Sequence, residues 1–134
     1  MVGEKKKLAL MLFSGPYGSQ YADQMCAVGE TALEMGYDVD IFLYGEGVHA
    51  QLEGQAPKAF FNVGDGLKRM KDKGANIVSC VRCSQARGYV EGDFEEGADR
   101  FPSEKAMDAV RIYSLYGFTD MLNSADKVIT FGSG

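Results

Sequence analysis

Lys7-Leu8-Ala9-Leu10-Met11-Leu12-Phe13 is a nearly unbroken apolar run, and Ser14-Gly15-Pro16-Tyr17-Gly18-Ser19 follows it at once. A strand with one wet face alternates apolar and polar residues, so a run apolar at both phases belongs to a strand covered on both faces, as in a parallel sheet. The turn behind it has two glycines and a proline, which allow unusual backbone angles, and Ser19 stands where a helix cap belongs. The spacing predicts a helix from about Ser19, with an apolar stripe of Tyr21, Met25, Val28, Ala32 and Met35, stopped by Gly36. Asp38 to Tyr44 reads as a second strand, and the helical connection makes the pair a right-handed βαβ unit with parallel strands.

The rest of the chain repeats this alternation. Gly45 to His49 is expected as a loop on the same rim as Gly15 to Gly18. Gln51 to Asn62 lacks a clean period and reads as a loop, with a short helix around Val48 to Leu52. Val63, Leu67 and Met70 mark a second crossover helix ending at Gly74. Ala75 to Gly88 opens with a β-branched strand that ends at Cys80-Val81-Arg82-Cys83, and Ser84 to Arg87 starts a helical turn that Gly88 breaks. Tyr89 to Pro102, rich in Glu, Asp and Gly, is expected as an exposed acidic excursion. Val110 to Ser114 is a fourth strand, Phe118, Met121, Leu122 and Ala125 form a helical face, and Lys127 to Phe131 is the last strand. The expected fold is α/β, a three-layer α/β/α sandwich around a mainly parallel five-stranded sheet, as one domain over residues 1–134.

Composition narrows the function. With 134 residues, 46% of them hydrophobic, the chain can bury a core without disulfide staples. No apolar run reaches the roughly eighteen residues of a membrane span, and the basic start lacks a cleavage pattern, so a soluble protein without an export signal is expected. A net charge of −5, with no lysine and arginine cluster interleaved with aromatics, argues against direct nucleic-acid binding. Three cysteines, two of them close together, point to reactive thiols in a reducing compartment, the cytoplasm. Seven methionines, eight phenylalanines and seven tyrosines suit protein partners, and Tyr44, Val48, Phe60, Phe61, Phe94 and Phe101 are expected on exposed faces as an oligomer interface.

The chemistry is expected at Cys80 and Cys83. Reactive groups of open α/β sheets collect beyond the carboxyl ends of strands, where the next helix presents its backbone amides. Those amides, with Arg82 and Arg87 flanking, would push a thiol toward thiolate, and Cys80, nearest the positive end, is expected to be the more acidic of the pair. From position alone Cys80 reads equally as a small buried hydrophobe. Cys80-x-x-Cys83 does not suggest a metal, because a zinc site needs four ligands and only Cys26 and His49 remain. A thioredoxin-like pair is a weaker reading without the usual tryptophan. Cys26, beside the first helical stripe, reads as a packing residue. The Gly15 to Gly18 turn fits no phosphate-binding pattern, so no nucleotide or flavin cofactor is expected. Its expected use is to bring amides and Tyr17 over the thiol of the neighbouring strand end. His49 reads as a solvated loop histidine, and Glu91 to Asp99 as a solvated loop.

Several of these stretches together resemble the DsrE/TusD family of sulfur-carrier proteins. They are Gly15-Pro16-Tyr17-Gly18-Ser19-Gln20, Tyr44-Gly45-Glu46-Gly47-Val48, the cysteine stretch, Ser114-Leu115-Tyr116-Gly117 and Ala125-Asp126-Lys127-Val128. The family pattern has a cysteine eight residues before the glycine of an Arg-Gly pair, which from Gly88 selects Cys80. The resemblance implies a cytoplasmic protein that takes sulfane sulfur as a persulfide on Cys80 and hands it to a partner carrier. The pathway would be dissimilatory sulfur metabolism or tRNA thiolation. Its implied partners are donor and acceptor proteins and related subunits, in a hetero-hexamer or a homo-oligomer. Cys83 departs from the pattern and leaves an auxiliary or resolving role open. Two other readings stand beside the carrier: a non-catalytic scaffold subunit, and a thiol-disulfide oxidoreductase using Cys80 and Cys83.

Overall fold

The computed structural model describes residues 5–91 and 97–132. The strands are β1 (Lys7–Leu12), β2 (Asp38–Leu43), β3 (Asn76–Cys80), β4 (Arg111–Tyr113) and β5 (Lys127–Phe131). The helices are α1 (Tyr21–Glu34), α2 (Val63–Asp72), α3 (Val81–Ala86) and α4 (Leu115–Ser124), and a 3-10 helix spans Gly45–Gln51. The sheet order is β4-β3-β2-β1-β5, and each of its four strand pairs is parallel. The chain therefore winds outward from β1 to β4, and α4 then carries it back across the sheet to add β5 on the far side of β1. This is the expected α/β sandwich. Among the described residues no helix is long and apolar enough to cross a membrane.

The two-residue period of the strands divides the core. Leu8, Leu10, Leu12, Ile41, Leu43 and Ile77 face α1 and α2, while Ala9, Met11, Phe42, Val78 and Cys80 face α4 through Met121. Both faces of β1 and β2 are covered, which is why their sequences run apolar without alternation. The same period sends Cys80 to the α4 side and its neighbour Ser79 to the other.

Several expectations need correction. The buried face of α1 is Ala22, Met25, Cys26, Gly29 and Ala32, whereas Tyr21 is exposed and Met35 is 65% exposed. The helix is turned because its small residues allow close approach: a Cβ on Gly29 would meet Leu10 Cδ1 at 3.2 Å, and one on Gly66 would meet Cys26 Sγ at 2.9 Å. Cys26 is buried there as the packing residue expected, and burial pushes its thiol up to about 12. Gln20, not Ser19, is the cap residue of α1; Ser19 Oγ accepts only from Tyr21 N, at 3.5 Å. The helical turn after β2 begins at Gly45, ahead of the expected Val48, and β4 is shorter at both ends than Val110 to Ser114 because Ser114 caps α4 through Tyr116 N.

Val48 and Phe101, expected on an exposed face, are both in the core, as is Tyr89 at the start of the acidic excursion. The excursion is tied down where it leaves and returns: Glu91 N donates to Pro102 O (3.1 Å) and Phe101 N to Ile112 O (3.0 Å). Phe94 and the middle of that segment lie outside the described residues. Tyr44, Phe60 and Phe61 are exposed as expected.

Candidate functional site

Cys80 is the last residue of β3 and the cap residue of α3, so one residue sets the strand end, the helix start and the thiol. The helix it opens is capped by Arg87 and turned back by Gly88, which takes a left-handed φ of 82° and lets Gly88 N and Tyr89 N fold back on Gln85 O and Ser84 O. The eight-residue spacing from Cys80 to the Arg-Gly glycine is thus the length of α3 with its two caps. The strand-to-helix junction is fixed from beneath by buried hydroxyl and amide groups. Ser79 Oγ donates to Gln51 Oε1 (2.7 Å) and Gln51 Nε2 donates to Ser84 Oγ (3.0 Å), joining β3, α3 and the 3-10 helix.

The sulfur of Cys80 is not at the surface. The residue is 1% exposed and lines a cavity of about 460 Å³ between the ends of β3 and β4, together with Arg82, Phe101, Ser114, Tyr116 and Thr119. Cys80 belongs to a cluster with Phe42 and Val78, against which Tyr113 and Phe118 pack. Cys83, three residues along α3, is half-buried and packs against both core clusters, one of which holds Cys80. All three cysteines are free thiols.

The expectation that this strand end holds Cys80 as a thiolate is overturned. Burial pushes its thiol above the ordinary value, and the contact with Cys83 adds to the rise. The amides of Cys83 and Arg82 act in the opposite direction and do not outweigh the lost hydration. A first turn of a six-residue helix supplies few aligned dipoles, whereas the lost hydration of a buried thiol acts on the whole charge.

The other expected groups divide. Arg82 is exposed and lines the Cys80 cavity. Arg87 turns back across the rim: its Nε and Nη2 donate to Glu46 Oε1 (3.3 and 2.9 Å) and its Nη1 donates to the carbonyl of Cys83 (3.1 Å). That hydrogen bond from Arg87 holds the Glu46 carboxyl below its usual range. Arg87 remains close enough to interact electrostatically with both Cys83 and Cys80. Tyr17, expected over the thiol, is kept from it because β2 lies between its strand and β3. Its hydroxyl donates to Gln55 Oε1 (2.7 Å) and accepts from Val63 N (3.2 Å), so it fastens the entry to α2 instead.

His49 is more than a solvated loop residue. One ring nitrogen lies 3.2 Å from Glu46 Oε2 and the other 2.8 Å from the Tyr89 hydroxyl, linking the 3-10 helix to the chain beyond α3. Sequence reasoning missed the Glu46, His49, Arg87 and Tyr89 group, as well as Gln51 with Ser79 and Ser84. Their partners lie 28 to 41 residues apart, with no motif to join them, except between Glu46 and His49 and between Ser79 and Ser84. Among the described residues no group of three or more His, Cys, Asp and Glu side chains is arranged to hold a metal ion.

Fold and site together define a parallel α/β protein with a cysteine pair at the carboxyl edge of its sheet. The sequence pattern of the DsrE/DsrF-like family matches residues 6–131, and the chain belongs to that family. An uncharacterized protein of Methanopyrus kandleri is 30% identical over 92% of this chain and 93% of its own length. The protein YchN of Escherichia coli is 26% identical over 94% of this chain and 99% of its own. The crystal structure of the Escherichia coli protein superposes with a TM-score of 0.78 at 25% identity, covering 96% of this chain and 100% of that one. Family membership supports a sulfur-relay-type role in general terms.

Proposed function

We propose that this protein is a sulfur carrier that accepts sulfane sulfur as a persulfide on Cys80 and passes it to a partner carrier. The observation that carries this reading is a thiol buried at the end of β3 whose approach is a cavity large enough for a small persulfide or the end of a partner chain. In the loading step the Cys80 thiolate attacks the outer sulfur of a donor R–S–SH. A new S–S bond forms at Cys80, the donor's S–S bond breaks, and R–S⁻ leaves with the proton that Cys80 gave up. Burial of the Cys80 sulfur shields the inner end of the persulfide until an acceptor thiolate enters the cavity and repeats the exchange. Arg82, at the cavity wall, supplies positive charge where anionic sulfur arrives.

Donor and acceptor proteins of a cytoplasmic relay are the partners in this reading, together with related subunits in a hetero-hexamer or a homo-oligomer. Intact mass after incubation with a persulfide donor tests it. One sulfur atom is gained by Cys83→Ser, which keeps Cys80, and none when Cys80→Ser is added to it. A protein that gains nothing with Cys80 intact, and shows no change at its cysteines, is a scaffold subunit instead.

A further inference from the structure

From the packing of Cys83 against the cluster that holds Cys80, and from a cavity that Cys80 lines and Cys83 does not, we propose that Cys83 discharges the persulfide on Cys80 as hydrosulfide, leaving a Cys80–Cys83 disulfide. The inference rests on the carrier reading above and assigns Cys83 a reaction of its own.

The geometry is directional. The outer sulfur of a Cys80 persulfide extends into the cavity, where Ser114, Tyr116 and Thr119 line the wall. Cys83 is not among the described residues lining that cavity; it packs, from α3, against the cluster that holds Cys80. The sulfur it can attack is therefore the inner one. A thiolate that reached the outer sulfur would only move the cargo from one cysteine to the other. Attack at the inner sulfur forms the Cys80–Cys83 bond, breaks the bond between Cys80 Sγ and the sulfane sulfur, and releases HS⁻.

The step balances without an external oxidant. The two cysteines lose two electrons in becoming a disulfide, and the sulfane sulfur gains those two in becoming sulfide. The proton of the Cys83 thiol leaves with the hydrosulfide as hydrogen sulfide. Counted from the start, R–S–SH and two thiols give R–SH, one disulfide and hydrogen sulfide. A further turnover requires a dithiol reductant to reopen the disulfide. Residues at the cap and third position of a helix lie about 5–6 Å apart at Cβ, which a small adjustment brings into disulfide range. Arg87, donating to the Cys83 carbonyl and close to both thiols, provides positive charge beside the site where anionic sulfur forms.

The test is anaerobic incubation of wild type, Cys83→Ser and Cys83→Ala with one equivalent of a low-molecular-weight persulfide, reading released sulfide and non-reduced intact mass. The expected result for wild type is one sulfide per chain and a mass lower by two hydrogens. Both Cys83 variants are expected to keep one added sulfur and release no sulfide. If wild type keeps the added sulfur on Cys80 and releases none, or peptide mapping finds it on Cys83, the discharge is overturned while the carrier reading stands. If neither wild type nor the variants take up sulfur or release sulfide, the carrier reading has failed and the discharge fails with it.

Discussion

Cys80 feels two opposed influences, and their balance governs its reactivity. Backbone amides at the start of α3 favour the thiolate, but loss of hydration in the cavity is the larger effect and holds the thiol protonated above its ordinary range. Since only the thiolate reacts, alkylation of Cys80 in a Cys83→Ser protein is expected to rise about tenfold per pH unit through neutrality and to be still climbing near pH 8.5, about the pKa of an unperturbed thiol. Cys26, buried in the α1–α2 packing, stays silent over that range. A plateau below pH 7 would show that the amides and arginines prevail after all. The place of Cys80 at a strand end was legible in the sequence, because a β-branched run followed by a turn identifies where a buried strand stops. The direction of the pKa shift was not, because it depends on Phe42, Phe118, Tyr113 and Phe101, which only the folded sheet gathers around the sulfur.

At the scale of elements, strand positions were legible wherever both sheet faces are covered, since continuous apolar runs such as β1 have few other uses. The buried face of α1 was not, because hydrophobic size pointed at Tyr21 and Met35 while close packing selected Ala22, Cys26 and Gly29. The Tyr44 to Val48 turn shows the same preference for absence of side chain. A Cβ on Gly47 would lie 2.8 Å from the backbone carbon of Leu12, and backbone in the central strand cannot yield as a flexible side chain would. Gly47→Ala is therefore expected to lower stability by about 3 kcal/mol, measured as a fall in the urea midpoint at unchanged slope. The same replacement at Gly18, where a Cβ meets nothing within 4 Å, is the control and should change the midpoint little. Equal effects at both positions would mean that the approach of the 3-10 helix to β1 is not the constraint.

The whole molecule leaves one edge of its sheet uncovered in an unusual way. At β5 the residues Lys127, Val128, Ile129 and Thr130 are all exposed, with Val128 43% and Ile129 39% exposed on opposite faces of the strand. An edge strand ordinarily protects itself with proline, a bulge or several charges, and β5 has only Lys127 at its start. Leu122 on α4 is also exposed. Sequence composition anticipated an association surface but assigned part of it to Val48 and Phe101, which the fold uses internally. Covering Val128 and Ile129 with a second copy would contribute about 1 kcal/mol each from apolar burial, in addition to backbone hydrogen bonds along the edge. Light scattering at micromolar concentration is accordingly expected to give a mass above that of one chain. Val128→Lys, which adds charge to the edge without touching the buried core, is expected to shift the population toward monomer while leaving sulfur loading of Cys80 measurable. A wild-type protein that is strictly monomeric, or an oligomer indifferent to Val128→Lys, would remove β5 as the surface through which copies meet.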